Sequence, residues 1–417
     1  MNQSFKVAGL SLACAVALHA AGYKLPQQSL NSTALGAASV AYTNGADATY
    51  YNPANMVWMD NAYHVEGSLT YVNLPKVKFA GAIALNSGES EVENVLKPSL
   101  HVVTKEYYEN WRFGFSATAP AGLSKRWDSG YSKAFSENFT LKVIEANPTA
   151  AYKINDQLAV GFGVRMVYTD GEVKSDMNEA VTLGSPNITR DLTGDSIDYG
   201  YNVALSYRPT PELKLAATYR SKVDLTVEGD AKLTHAPAAF NYDDSASVTI
   251  PLPATLVLAA AYTMNRTTVE FAFERTYWSA YKELDFDYST TLPGVGVANS
   301  PHTIFDRPIA KNWKDSNTYR LGITHEYSDK LTLMAGYAYD ETPVPASTLG
   351  FEQPDSDANI YSFGFTYKMR EDITVGLAYL YSDKKERTVN HPENTRVNGK
   401  FTGSGAHLVT TGITYRF

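Results

Sequence analysis

Hydrophobic and polar positions alternate along this chain with a period of two, segment after segment, as expected of strands whose successive side chains point to opposite faces. At the carboxyl end Val409, Thr411, Ile413, Tyr415 and Phe417 share one face, and Leu408, Thr410, Gly412, Thr414 and Arg416 share the other. Segment 373–381 sets Ile373, Val375, Leu377, Tyr379 and Tyr381 against Thr374, Gly376 and Ala378. Segment 361–368 sets Tyr361, Phe363, Phe365 and Tyr367 against Ser362, Gly364, Thr366 and Lys368. Trp111, Phe113 and Phe115 oppose Arg112, Gly114 and Ser116 in the same way. One face is thus apolar and aromatic, the other small, hydroxylated or charged. The pattern predicts strands near 62–72, 96–106, 109–119, 138–153, 158–173, 192–208, 213–228, 245–263, 267–283, 316–328, 331–343, 357–369, 373–386 and 406–417, fourteen in all. The fourth loses its phase near Ile144-Glu145, which reads as a bulge or a change of register.

The connections alternate in kind. Short turns recur at Ile154-Asn155-Asp156-Gln157, Pro209-Thr210-Pro211-Glu212, Met264-Asn265-Arg266, Ser328-Asp329-Lys330 and Arg370-Glu371-Asp372. Between them lie long polar loops near 73–95, 120–137, 174–191, 229–244, 284–315, 344–356 and 387–405. This asymmetry is that of outer-membrane barrels, with turns in the periplasm and loops outside. The expected fold is therefore all-β: a 14-stranded antiparallel transmembrane β-barrel in the bacterial outer membrane, closed so that no sheet edge meets lipid. Both termini would then be periplasmic. A secreted β-sandwich or lipocalin-like barrel would hide the aromatic face instead. Against it stand the number of long strands and the terminal Tyr415-Arg416-Phe417, which resembles the carboxyl-terminal assembly signal of such barrels. The expected surroundings are outer-membrane lipid and lipopolysaccharide, with the barrel assembly machinery as a partner and a monomer as the oligomeric state.

The amino-terminal end has a different texture. Lys6 precedes an apolar run from Val7 to Ala21 that ends in small residues, so residues 1–20 read as a signal peptide. Cleavage after Ala20 would remove Cys14, the sole cysteine. A lipoprotein reading of Cys14 is disfavoured by Ser11, where a lipobox wants Leu. Beyond it no segment approaches the ~20 apolar residues of a membrane helix. Residues 21–61 are rich in small side chains and do not alternate. A fourteen-strand barrel leaves a lumen, and Tyr50, Tyr51, Met56 and Trp58 suit a folded plug, or hatch, better than a solvated tail. The expected organisation is signal peptide 1–20, hatch 21–61 and barrel 62–417.

Composition sharpens the picture. Apolar residues make up 44% and charged residues 19%, so the chain is not of disordered type. The 29 Tyr, 17 Phe and 5 Trp supply amphipathic rings for a membrane-facing wall. A net charge of −8 argues against a nucleic-acid partner. The eight His are scattered without ligand spacing, so no metal or cofactor is expected, and no nucleophile with its base stands out for an enzyme. Gly161-Phe162-Gly163 lies on a strand, not in a phosphate-binding loop. Lumen-side Arg112, Arg165, Arg220, Lys222, Asp224, Glu270, Glu274 and Arg320 are expected to form ion pairs from wall to wall.

Several motifs together resemble the FadL-type (OMPP1/FadL/TodX) family of outer-membrane transporters for long-chain fatty acids and other hydrophobic compounds. They are Ala21-Gly22-Tyr23; Ser39-Val40-Ala41-Tyr42 leading through Ala46-Asp47-Ala48 to Asn52-Pro53-Ala54; Tyr219-Arg220-Ser221-Lys222-Val223-Asp224; Pro253-Ala254-Thr255; Trp313-Lys314-Asp315 with Tyr319-Arg320-Leu321-Gly322; and Asp340-Glu341-Thr342-Pro343-Val344-Pro345. Asn52, Pro53 and Ala54 are similar to the family's hatch motif.

The resemblance implies an outer capture site between long loops, an inner pocket and a lateral opening at a kinked third strand. Here that strand runs into Pro120-Ala121-Gly122, where Pro120 has no N–H for the ladder and Gly122 no side chain to fill the wall. It further implies a cation beside the substrate carboxylate at Lys314. The capture loops would present Met177, Val181, Leu183, Leu233 and Phe240. The implied cargo is a hydrophobic small molecule, first a fatty acid, with a mono-aromatic or alkane hydrocarbon as the alternative. A general porin for hydrophilic solutes is the rival outside this class, and would need no plug.

Overall fold

Alternation of this kind can satisfy every backbone group only if the sheet closes, and it does. The computed structural model describes residues 22–43, 45–179, 187–236 and 238–417. The expected signal peptide 1–20 and the loop residues Val181 and Leu183 lie outside the described residues. The barrel strands are β1 (His64–Leu74), β2 (Glu93–Val103), β3 (Trp111–Arg126), β4 (Asn138–Lys153), β5 (Leu158–Asp176), β6 (Ile188–Tyr207), β7 (Leu213–Arg220 and Val223–His235), β8 (Tyr242–Leu252 and Thr255–Met264), β9 (Thr267–Thr276), β10 (Ser316–Glu326), β11 (Leu331–Asp340), β12 (Ala358–Lys368), β13 (Ile373–Lys384) and β14 (Gly405–Arg416). Each pairs antiparallel with the next, and β14 returns to β1 from Asn73↔His407 to His64↔Arg416. Tyr63 and Phe417 close the seam with two backbone hydrogen bonds and stacked rings 5.3 Å apart.

The aromatic face looks outward. Phe162, Val164, Met166, Tyr199, Tyr201, Phe271, Phe363 and Ile413 are exposed, whereas their neighbours Arg165, Asn202, Ser362 and Thr410 are buried. This reverses the arrangement of a water-soluble domain and fits hydrocarbon outside the wall.

The elements are longer at the loop end than the alternation predicts. β3 runs seven residues past 119, through Pro120-Ala121-Gly122, and β7 reaches His235. The cause is visible at β4, whose pairing with β5 keeps one register from Asn138↔Lys174 to Lys153↔Ala159, while the expected irregularity lies on its other edge, where β3 shifts register between Thr118 and Ala121 opposite Ile144. What changes is the inward face. Leu141 and Val143 point inward towards the loop end, and Glu145, Asn147 and Thr149 towards the turn end. The apparent loss of phase at Ile144-Glu145 is the level at which the lumen switches from apolar to polar. The same switch carries Val223, Leu225, Val227, Val248 and Ile250 into one apolar core in the outer half.

Residues 22–61 lie in the polar half of the lumen. They form α1 (Leu30–Ala34), α2 (Ala48–Tyr51) and a tight 3-10 turn, Pro53–Trp58. Ser29 caps α1 by accepting from the Ser32 N–H, and the Ser32 side chain returns a bond to the Ser29 backbone. At the loop end a small four-stranded sheet of Lys78–Gly81, Gly88–Glu89, Arg387–Val389 and Gly399–Thr402 covers the core. Its Phe79 packs on Phe401 at 4.6 Å and on Phe351 at 5.0 Å between ring centroids.

Candidate functional site

The lumen segment is fastened to the wall by the charges that the sequence places inside. Glu270 on β9 accepts the backbone N–H groups of Val40, Ala41 and Tyr42 at 2.6, 2.9 and 2.9 Å. Arg320 donates to the Gly36 carbonyl at 2.9 Å, and Ser362 to the Ala34 carbonyl at 2.9 Å. Glu274 pairs with Lys24 of the segment and with Arg320 at 3.5 Å. Wall-to-wall pairing is found as well: Glu145 on β4 holds Arg165 of β5 at 2.8 Å and Arg220 of β7. Lys222 and Asp224 pair at 2.8 Å on the exposed side. The expectation of lumen-side wall-to-wall pairs is therefore corrected for Glu270 and Arg112, which bind backbone groups of residues 40–42 and the Asp60 carbonyl, and for Lys222 and Asp224, which are exposed and pair with each other.

Asn52, Pro53 and Ala54 act as a local turn. Asn52 Oδ1 accepts from the Ala54 N–H at 3.1 Å while its Nδ2 donates to the Val40 carbonyl at 2.9 Å. Pro53 opens the 3-10 turn at a position that needs no N–H. The turn sits directly on Gly161 of β5: a Cβ there would come within 2.5 Å of the Ala54 nitrogen.

Between β2 and β3 the ladder is incomplete. Pairing runs only from Val103↔Gly114 to Leu100↔Ala117, and the outer part of β2 pairs with β1 alone. The register of β3 with β4 shifts between Thr118 and Ala121. Pro120 cannot donate, and the free edge of β3 is taken up from inside by residues 23–28. The Leu25 N–H donates to the Pro120 carbonyl at 2.8 Å, and the Gly122 N–H to the Tyr23 carbonyl at 2.9 Å. Gln28 bonds Ala119 in both directions, at 2.7 and 3.1 Å. From β2, Lys97 reaches Gln28 Oε1 at 3.2 Å and His101 the Gln28 carbonyl at 2.9 Å.

Outward of this junction lies a cavity of about 250 Å³ whose lining mixes rings and cations: Phe135, Met177, Phe305 and Phe351 with Arg190, Lys311 and Arg396. Arg190 is buried between Phe286 and Phe305, its guanidinium 5.1 and 4.9 Å from their ring centres. Among the described residues it has no carboxylate ion partner, and its Nε has no hydrogen-bond partner. Lys311 pairs with Glu352. Burial alone would raise the Glu352 carboxyl, but the adjacent Lys311 ammonium more than offsets it and holds it below the usual range. Phe139, Lys311 and Glu352 also line a narrow neck leading inward to Tyr23, Tyr281 and Trp313. Tyr23 is packed there against Trp278 at 4.7 Å and Trp313 at 5.8 Å. Burial pushes the Tyr281 hydroxyl well above its ordinary range. On the far side of residues 23–28 a cavity of about 60 Å³ is lined by Pro120, Lys24, Arg165 and Arg220.

The residues expected for this site are thus partly assembled. Pro120, Ala121 and Gly122 stand at the wall discontinuity, and Met177 lines the outer cavity. Leu233 is instead a buried core residue of β7, and Phe240 packs on His235 at 5.2 Å. Lys314, expected beside a substrate carboxylate, is exposed and lies outside the lining of the outer cavity, because Lys311 and Trp313 occupy the inward-facing positions of that segment. Arg190 and Arg396 were not anticipated, since both fall in stretches read as loop. The signal was present as an arginine set between Ile188 and Leu192 on an apolar inward face.

The family model described as outer membrane protein transport protein (OMPP1/FadL/TodX) matches residues 11–417. The "Long-chain fatty acid transport protein" of Escherichia coli O6:H1 is 25% identical over 407 residues, covering 86% of each chain. A Pseudomonas aeruginosa FadL homologue of known crystal structure has a TM-score of 0.80 at 19% identity, covering 95% of this chain and 99% of its own. The P. putida toluene transporter TodX has a TM-score of 0.68 at 20% identity, covering 93% and 97%.

Proposed function

This chain belongs to the OMPP1/FadL/TodX family of outer-membrane transport proteins, and from that premise we propose that it carries hydrophobic molecules, long-chain fatty acids first among them, from the outer cavity to a side exit at Pro120. It is an outer-membrane barrel and a transporter, not an enzyme. The observation that carries the reading is the junction of residues 23–28 with the free edge of β3. A stopper there separates an apolar, cation-lined cavity from a place where the wall is not continuously paired.

The energetics favour such a route. An acyl chain of about sixteen carbons gains roughly 0.8 kcal/mol per buried CH₂, on the order of ten kcal/mol in total. Capture is easy, and release into periplasmic water would return that free energy. Release sideways into lipid would not. In this reading the ligand chain lies among Phe135, Phe305 and Phe351, and its carboxylate faces Arg190 with Lys311 and Arg396 nearby. The hatch motif Asn52-Pro53-Ala54 keeps the lumen shut to ions. Substrate would pass when residues 23–28 leave the β3 edge.

A neutral aromatic cargo is the second reading, favoured by the cage of Tyr23, Trp278, Tyr281 and Trp313. The compound that co-purifies with detergent-extracted protein separates the two: a fatty acid supports the first, a hydrocarbon the second. Large steady ion conductance in planar bilayers would overturn both in favour of an open porin.

A further inference from the structure

At the turn end, away from the proposed cargo path, a cavity of about 180 Å³ is lined by Asn31, Gly45 and Glu66 together with threonines of the wall, among them Thr324, Thr366 and Thr414. Glu66 on β1 is 3% exposed, and among the described residues neither of its carboxylate oxygens has a hydrogen-bond partner. Asp47, at the start of α2, is fully buried. Its Oδ2 accepts from Ser29 at 2.7 Å, while its Oδ1 has no partner among the described residues. The open oxygens face one small volume: a Cβ placed on Gly45 would fall 2.6 Å from Glu66 Oε2 and 2.9 Å from Asp47 Oδ1, with the Asn31 amide 3.3 Å away. Neither carboxylate has an ion pair with a lysine or arginine among the described residues.

Two buried carboxylates without a cationic partner cost several kcal/mol each, and wall threonines supply hydroxyl oxygens beside them. We propose that Asp47 and Glu66 together bind one hard divalent cation, calcium by preference, which clasps the hatch to β1. The chemistry selects this class: carboxylates and hydroxyl-bound water are ligands for calcium, which accepts many oxygens in flexible geometry, whereas a softer metal would want nitrogen or sulfur. Two negative charges match a divalent ion, and Gly45 supplies the space, since any side chain there would fill the position the ion needs. The ion would bridge the moving part to the fixed part, so its binding bears on how firmly the hatch is held.

The test uses the full chain in detergent micelles, stripped with EDTA and titrated with terbium, whose emission is excited through nearby tyrosines; Tyr42 lines the same cavity. The expected result is one calcium-displaceable site per chain, weakened about tenfold or more in both Glu66→Gln and Asp47→Asn and unchanged in the surface control Glu89→Gln. Calcium should also raise the unfolding temperature of the parent chain and not of the two variants. Should one variant fail to fold, the other carries both measurements. Parent and variants binding terbium alike would overturn the proposal. So would a parent chain whose unfolding temperature ignores calcium, the result expected if the two carboxylates share a proton instead.

Discussion

Leu25 donates its backbone N–H to the carbonyl of Pro120 at 2.8 Å, so the amino-terminal segment holds the strand edge that β2 leaves free. The junction rests on an edge that β2 cannot occupy while Pro120 interrupts its ladder. Replacing Pro120 and Gly122 by valine should restore a donor and wall side chains, and favour direct β2–β3 pairing. Uptake of labelled fatty acid by cells should then fall several-fold while binding to the extracted protein persists. Undiminished uptake would count against an exit at this point.

Gly161 sets how closely the hatch motif approaches the wall. A Cβ there would meet the Ala54 nitrogen at 2.5 Å and the Pro53 carbonyl carbon at 2.8 Å, both backbone atoms that cannot turn aside. Gly161→Leu should therefore displace the Asn52-Pro53-Ala54 turn, at a cost of about 1–3 kcal/mol typical of overpacking. Bilayer recordings should show conductance where the parent chain is silent. Gly67→Ala, where nothing lies within 4 Å, is the matched control and should stay silent.

The strand count, the closure and the outward aromatic face were legible because a membrane wall imposes one strict period on every strand. The outer extensions were not. Beyond Val143 on β4 and Val223 on β7 both the lumen and the covering loops are apolar, so the inside-outside contrast that marks a strand fades. For the same reason Arg190 was hidden in a stretch read as loop, although Ile188 and Leu192 flank it on the inward face. Lys314 was chosen by similarity of sequence, yet burial alternates along that segment, and a shift of one or three residues, to Trp313 or Lys311, separates solvent from cavity. The pairing of Leu25 with Pro120 joins positions far apart in sequence, and no local pattern encodes it.

Arg190 and Lys314 should therefore separate cleanly in binding. A charge-assisted hydrogen bond to a carboxylate is worth about 1.5–3 kcal/mol, so Arg190→Met, which keeps most of the side-chain volume between Phe286 and Phe305, should weaken fatty acid binding by roughly ten- to a hundredfold. An uncharged hydrocarbon of equal length should bind Arg190→Met and the parent chain alike, and Lys314→Ala should bind both ligands as the parent does. Calorimetry on extracted protein decides it. A loss confined to Lys314→Ala would return the carboxylate to the exposed segment.

The Lys311–Glu352 pair gives the outer cavity a pH dependence of definite sign. The carboxyl of Glu352 is held below its ordinary value of 4.5: burial works to raise it, and the charge and hydrogen bond of Lys311 prevail. A depressed carboxyl stabilises the fold above its unfolded value, and that contribution is lost as pH falls through the folded one. Protonation there leaves Arg190, Lys311 and Arg396 facing the cavity without the one acidic neighbour that its lining has among the described residues. An anion that stays ionised, such as dodecyl sulfate, should bind with constant affinity from about pH 8 to about pH 5 and more tightly below the carboxylate range. Glu352→Gln should bind it at every pH as the parent chain does in acid. A parent affinity that stays flat through acid, or a variant that still titrates, would mean that Glu352 does not set the charge of this cavity.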